Sequence, residues 1–328
     1  MQTVRKLHMS DWMLLITALG TYAITSQAQQ FPNKPVRYVV AFAAGDSPDI
    51  VARLAGDRLS RIWDQQVVVE NRVGAGGTIA GNFVAKAPPD GYTLLHCNIA
   101  TNAIALALYT KLPYDGLKDF APVTRMGTTA NVFLAHPSMP IKTVAQFIAY
   151  AKANPGKLSY GHGGVGASPH LSMDLFKNLA GINLVHIAYK GASPAIADLM
   201  GGQIPVAIAN LPALIPHIRS GKAHALAVTS EKRVPQVPAI PTMVESGYKD
   251  YVVSAWYGMC APAGTPQPVL EKLHADTTRV MNSPDVQQRL NDLVIDVATQ
   301  SRDEFTAFMR AEAVRWAKVV KDAGIPTQ

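Results

Sequence analysis

Ser47 and Ser168 are the residues best placed to do chemistry, because each follows a glycine-bearing turn and precedes a proline. The first stretch, FAAGDSPDIVAR at residues 42–53, directly follows the apolar run Val36–Ala44. The second is SYGHGGVGASPHLSMDLF at residues 159–176. Glycine lets a backbone turn tightly off a strand. Ser47 and Ser168 are expected as helix N-caps, with Pro48 and Pro169 at the first helical position, where a missing N–H costs nothing. Free N–H groups and the positive dipole end of such a helix attract carboxylates and phosphates. Two such turns, far apart in one chain, predict two lobes closing on an anion.

The signatures of catalysis are missing. The sequence holds no Gly-x-Ser-x-Gly elbow, no lysine after a phosphate-cradling glycine loop and no His-Glu-x-x-His. His162 and His170 flank the second turn but have no companion Cys, His or carboxylate at ligand spacing, so polar-cleft or packing roles are expected of them. Gly161-His162-Gly163-Gly164 has the look of an oxyanion loop with no nucleophile to serve. Asn71–Gly77 lacks the Gly-x-Gly-x-x-Gly spacing and reads as a tight turn packed near the cleft. No catalytic residue, metal ligand or cofactor is expected.

These turns must be held by a scaffold, and the chain supplies one by alternating strand-like and helix-like segments. Residues 35–43, 66–70, 92–97, 132–136, 158–160, 184–188, 204–209 and 223–229 read as short strands. Helices are expected at 48–62, after Gly77, from Thr143, at 169–179, after Ser193-Pro194 and at 211–219. Thr143-x-x-Gln146 is a capping box. Residues 261–266 read as a linker, after which helices dominate at 268–281, 284–293 and from Asp303, behind a second box, Ser301-x-x-Glu304. In that last helix Phe305, Phe308, Met309, Trp316, Val319 and Val320 form an apolar stripe expected to pack on the core. Repeated β–α units predict a mainly parallel, doubly wound α/β sheet, which binds ligands at the carboxyl ends of its strands.

The N-terminus reads as an export leader. Arg5, Lys6 and His8 are basic, Trp12–Ile24 is apolar, and Ser26-Gln27-Ala28 is a small-x-small cleavage site. Thirteen apolar residues fall short of the ~20 that span a bilayer. Of the formal charge of +7, the leader carries only Arg5, Lys6 and Asp11. The remaining cations are scattered and form no nucleic-acid patch; mild attraction of small anions is their one implication. With 48% hydrophobic and 16% charged residues the chain is globular and not disordered. Cys97 and Cys260 could form one disulfide, but each sits in an apolar strand-like segment where a free thiol packs as a small hydrophobe, and two unpaired thiols are expected.

The stretches FAAGDSPDIVAR, VVVENRVGAGG, KAPPDGYTLL, KLPYDGLKDFAPVT, AKANPGKLSYGHGGVGASPHL and AWYGMCAPAGTP, with Tyr189-Lys190-Gly191 and Asn210-Leu211-Pro212, resemble the substrate-binding proteins of tripartite tricarboxylate transporters, the Bordetella uptake gene family. The resemblance runs in order through the chain beyond the leader. It implies a two-lobed periplasmic binding protein of the type II fold, each lobe a mainly parallel sheet flanked by helices. Residues 31–126 plus 259–328 would form one lobe and 127–258 the other. It further implies a monomer that holds an organic carboxylate between its lobes and delivers it to membrane transporter subunits, without nucleic acid. Carried over residue by residue, the implied ligand-binding set is Gly45, Asp46, Ser47, Asn98, Gly166, Ala167, Ser168, His170 and Asn210.

Departures from the family pattern are informative. Ala43-Ala44-Gly45-Asp46 stands where Pro-Pro-Gly-Gly is usual, Pro48 replaces Thr or Ala, Ala167 replaces a hydroxyl residue and Ala209 an Asp. Asp46 should therefore either face solvent or meet a cationic or hydroxyl group on the ligand. A less polar cleft favours an aromatic acid or a larger di- or tricarboxylate over a small dicarboxylate. Two rival readings are a ligand-loaded sensor module for a membrane receptor and a secreted α/β hydrolase, the latter disfavoured by the absent elbow.

Overall fold

Apolar runs bounded by Gly, Pro and Asp fold as expected into alternating strands and helices. The computed structural model describes residues 31–328, and the expected leader at 1–28 lies outside them. The first flank comprises β1 (Val36–Val40), α1 (Ser47–Trp63), β2 (Val67–Asn71), α2 (Thr78–Ala85), β3 (Thr93–Asn98) and the short α3 (Ala105–Leu108). A long strand, β4 (Phe120–Ala135), follows. The second flank holds α4 (Val144–Ala153), β5 (Ser159–His162), α5 (Ser168–Ala180), β6 (Val185–Ala188), α6 (Ala192–Met200), β7 (Val206–Asn210), α7 (Ile215–Arg219) and β8 (His224–Val228). The chain returns through β9 (Ser254–Pro262), α8 (Gln267–Met281), α9 (Pro284–Asp292), β10 (Asp296–Val297) and α10 (Arg302–Asp322).

The strand order is β2-β1-β3-β9-β4-β7-β5-β6, with β8 and β10 also on β4. Each flank is parallel, β1 with β2 and β3, and β5 with β6 and β7. Between them β4 and β9 run antiparallel to each other and to their other neighbours, β3 and β7. β4 pairs with β9 up to Ala130 and with β7 from Asn131 onward, so one strand serves both flanks of a two-lobed α/β molecule.

Several expectations need correction. β4 was legible only at its C-terminal end because Pro122 interrupts its pattern; the register shifts between Pro122 and Thr124, a bulge that accommodates the missing N–H. β9 runs through Pro262, inside the stretch read as a linker, and the two-residue β10 gave no periodic signal. The helix expected at 211–219 is a 3₁₀ turn at Leu211–Ala213 and then α7, divided ahead of Pro216.

Cys97 and Cys260, expected to be free thiols, are joined in a disulfide, and the described residues contain no free cysteine. Both are fully buried, as their apolar setting implies. Pairing of β3 with β9, residues from opposite ends of the chain, is what brings the sulfurs together. The stripe on α10 packs inward, with Phe305, Met309, Trp316 and Val320 buried and Phe305 edge-on to Trp256 of β9.

Candidate functional site

Both glycine turns leave the carboxyl end of a strand and enter a helix, but the helix starts are offset by one residue from expectation. Asp46 and Ala167 occupy the N-cap positions, and Ser47 and Ser168 are the first helical residues. The prolines sit one residue further on. The serine hydroxyls, freed from capping duty, lie in the wall of a cavity of about 40 Å³.

The first turn is held by Asp49. Its carboxylate accepts from the Gly45 N–H at 2.9 Å, from Arg53 Nε at 2.9 Å and from Asn71 Nδ2 at 2.8 Å. These bonds outweigh the burial that opposes them and hold the Asp49 carboxyl below the usual range. Ser47 is buried, and its Oγ has no hydrogen-bond partner of good geometry; the phenol oxygen of Tyr257 is in the same position. Burial dominates at Tyr257 and raises its pKa, with a smaller opposing effect from the nearby Ser47 hydroxyl.

The second turn is fixed from behind by Asn131. Its Nδ2 donates to Ser168 Oγ at 3.0 Å and to Ser172 Oγ at 2.7 Å, while its Oδ1 accepts from Asn210 Nδ2 at 2.9 Å. Ser168 Oγ thus uses acceptor capacity on Asn131 and keeps its O–H to donate. Asn98 is spent locally: Oδ1 accepts from the Ala100 and Thr101 N–H groups, capping the turn that leads into α3.

A third helix start completes the wall. Gly191-Ala192-Ser193-Pro194 opens α6, and the Ala192 N–H donates to Asp46 at 3.1 Å. Asp46 is only 5% exposed, so it does not face solvent; it lies in the cavity wall. Burial pushes its carboxyl up to about 6, against the opposing bond from Ala192 and with some repulsion from Asp49.

Of the nine residues expected to bind ligand, Asp46, Ser47, Asn98, Ala167, Ser168 and Asn210 line this cavity. Gly45, Gly166 and His170 are outside its wall. Gly45 and Gly166 supply positive φ to the two turns. His170 lies behind the loop, where Nδ1 accepts from the Gly166 N–H at 3.3 Å and Nε2 is 3.3 Å from Asp174 Oδ2. His162 stacks beside it, and burial lowers the two pKa values to about 3 and about 4. With His186 these rings bring nitrogens within 4.8 Å. His162 Nε2 lies 3.2 Å from His186 Nδ1, within hydrogen-bond distance, so His186 is a companion imidazole that sequence spacing did not reveal.

Ala192, Ala255 and Tyr257 in the wall were not anticipated, nor was Asn131 behind it. The third Gly-x-Ser-Pro start and a lone Asn within the apolar run of β4 were the available signals. The Gly74–Gly77 turn does pack beside the cleft as expected: a Cβ on Gly76 would lie 2.7 Å from the Val165 carbonyl oxygen.

The family model for the tripartite tricarboxylate transporter family receptor matches residues 51–325. A Rhodopseudomonas palustris protein, Rpa4515, solved with adipate, is 34% identical, with a TM-score of 0.87 over 91% of this chain and 100% of its own. The periplasmic binding protein BugD is 37% identical, with a TM-score of 0.87 over 91% of this chain and 100% of its own. MatC from Rhodopseudomonas palustris, with bound malate, is 34% identical, with a TM-score of 0.85 over 88% of this chain and 100% of its own.

Proposed function

Because this chain belongs to the tripartite tricarboxylate transporter receptor family, a family of periplasmic solute-binding proteins and not of enzymes, we propose that it captures an organic carboxylate in the cavity between Ser47 and Ser168 and delivers it to a membrane transporter. The observation that carries this reading is the convergence of three helix N-termini, those of α1, α5 and α6, on one buried cavity whose wall presents the Ser47 and Ser168 hydroxyls. A helix start whose N–H groups are not already taken offers donors and positive potential to an anion. The likeness to proteins solved with adipate and malate supports a ligand that carries a carboxylate.

We read the lobes as residues 31–126 plus 259–328 and residues 127–258, the chain crossing in β4 and again on entry to β9. The change of partner along β4 supports two crossings. At about 40 Å³ the cavity has room for a few water-sized groups, so a six-carbon acid enters only as the walls move apart and then reclose. The family reads as periplasmic, and the basic and apolar N-terminal residues with Ser26-Gln27-Ala28 support a cleaved export leader as the route. Among the described residues no helix is long and apolar enough to cross a membrane. We take the working unit to be a monomer.

A thermal-shift and calorimetry screen against carboxylic acids tests the reading. A ligand at 100 times its Kd should stabilise the protein by about 2.7 kcal/mol. No stabilisation by any acid, together with turnover of an ester, would reverse the assignment.

A further inference from the structure

We propose that Asp46 makes this a site for monocarboxylates, by filling with the protein's own carboxylate the anion position at the N-terminus of α6. The inference rests on the carboxylate reading above and narrows it to a class of acid. The helix starts that face the cavity are balanced differently.

At α1 the positive end is answered by Asp49 in the first turn, which accepts from the Gly45 N–H; Asp46 is the N-cap residue but its side chain makes no cap bond there. At α6 the first turn carries no acidic residue, but Asp46 reaches it from 146 positions away, its two oxygens 3.1 and 3.4 Å from the Ala192 N–H. Backbone geometry protects this contact. Gly191 has φ +115°, and a Cβ there would lie 2.8 Å from the Ala43 side chain and 3.2 Å from Asp46 Oδ2. Only α5 is left unanswered: its N-cap is Ala167, which has no capping side chain, and its first turn has no acid. One of three positive ends therefore remains for a ligand anion.

Three hydroxyls line the same cavity. Ser47 Oγ and the Tyr257 hydroxyl are buried in its wall beside each other, with no hydrogen-bond partner of good geometry, and the Ser168 O–H remains able to donate. Together they suit one carboxylate beside the α5 start. The rest of the wall is largely apolar, with Phe42, Ile99 and Ala213 in it, and suits a tail without charge. A second carboxylate on the ligand would share a desolvated space with Asp46 and find no free helix start. Two carboxylates in one buried site repel strongly enough that one must take up a proton.

The experiment is calorimetric titration of the purified protein at pH 7.5 with matched acids: hexanoate against adipate, benzoate against terephthalate, and 6-aminohexanoate as the cationic counterpart. Wild type should bind the monocarboxylate of each pair at least tenfold more tightly than the dicarboxylate. Asp46→Asn, which keeps the shape and an acceptor for Ala192, should shrink that preference about tenfold or invert it. Asp46→Gly should do the same, and serves if the Asn variant fails to fold. Tighter binding of a dicarboxylate or of the amino acid by wild type would overturn the inference while leaving the carboxylate reading intact. An unchanged preference in both variants would also overturn it. Binding of none of these acids by wild type, with no acid in a wider screen stabilising it, would remove the carboxylate reading itself.

Discussion

Residues in this cleft carry opposing demands of stability and binding, and Ser47 shows the conflict most directly. A buried hydroxyl without a partner costs about 1–3 kcal/mol, whereas a hydrogen bond to a charged acceptor is worth roughly 1.5–3 kcal/mol. Ser47→Ala should therefore leave the ligand-free protein as stable or more so, yet weaken carboxylate binding about tenfold, as denaturant titration and calorimetry would read. A mutant that loses stability and keeps affinity would show that Ser47 only packs. Asp46 makes a second, pH-dependent prediction. Its carboxyl is raised to about 6 in the fold, so the folded state keeps a proton that the unfolded chain releases near pH 4. Its contribution to stability is full below pH 4 and is lost as the pH rises through 6. Asp46→Asn does not titrate. Its stability relative to wild type should therefore rise by up to about 3 kcal/mol between pH 4 and pH 7.5. A difference that stays flat across that range would contradict the burial argued for Asp46.

At the scale of elements, the helix starts and the loops packed against them set the geometry of the cleft. Gly76 holds φ +62° with the Val165 carbonyl oxygen 2.7 Å from where a Cβ would stand, so the two glycine loops touch backbone to backbone. Gly76→Ala should lower stability by roughly 1–3 kcal/mol through left-handed strain and this contact. It should also weaken ligand binding, because Val165 belongs to the loop that ends at Ser168. Unchanged melting and affinity would mean that the loops need not meet. The capping box of α10 is the opposite case, since Ser301 Oγ and the Glu304 carboxylate bond reciprocally far from the cavity. Ser301→Ala should cost about 1 kcal/mol and leave binding alone. That box was legible because its partners are three residues apart. The offset of the cleft helices was not: whether a Ser or the residue before it caps depends on the backbone of the preceding turn, and both Asp46 and Ala167 adopt the extended conformation that ends the helix there.

At the scale of the molecule, the disulfide closes a loop of 163 residues that contains the whole of the second flank. Chain-entropy arguments assign a loop of that length about 5 kcal/mol, and typical measured values are nearer 2–4. The double variant Cys97→Ser, Cys260→Ser should accordingly unfold at lower denaturant, by about 2–5 kcal/mol, with ligand specificity retained. A fall in affinity without a fall in stability would instead make the bond part of the closing motion.

What the sequence alone determined is whatever depends on neighbours close in the chain: the β–α alternation, the capping box of α10, the Thr143 N-cap of α4, the glycine turns and the apolar face of α10. The family resemblance, carried by motifs in order, supplied the two-lobed α/β fold and the solute-binding role. Six of the nine expected residues share one cavity because strand-to-helix turns of a parallel flank emerge at the same edge. Tertiary structure alone decided the rest. It paired Cys97 with Cys260, turned Asp46 onto the start of α6, and put Asn131 behind Ser168. Each of these joins partners separated by 37 to 163 positions, and such contacts are set by strand pairing and lobe packing, which no local pattern of residue types encodes.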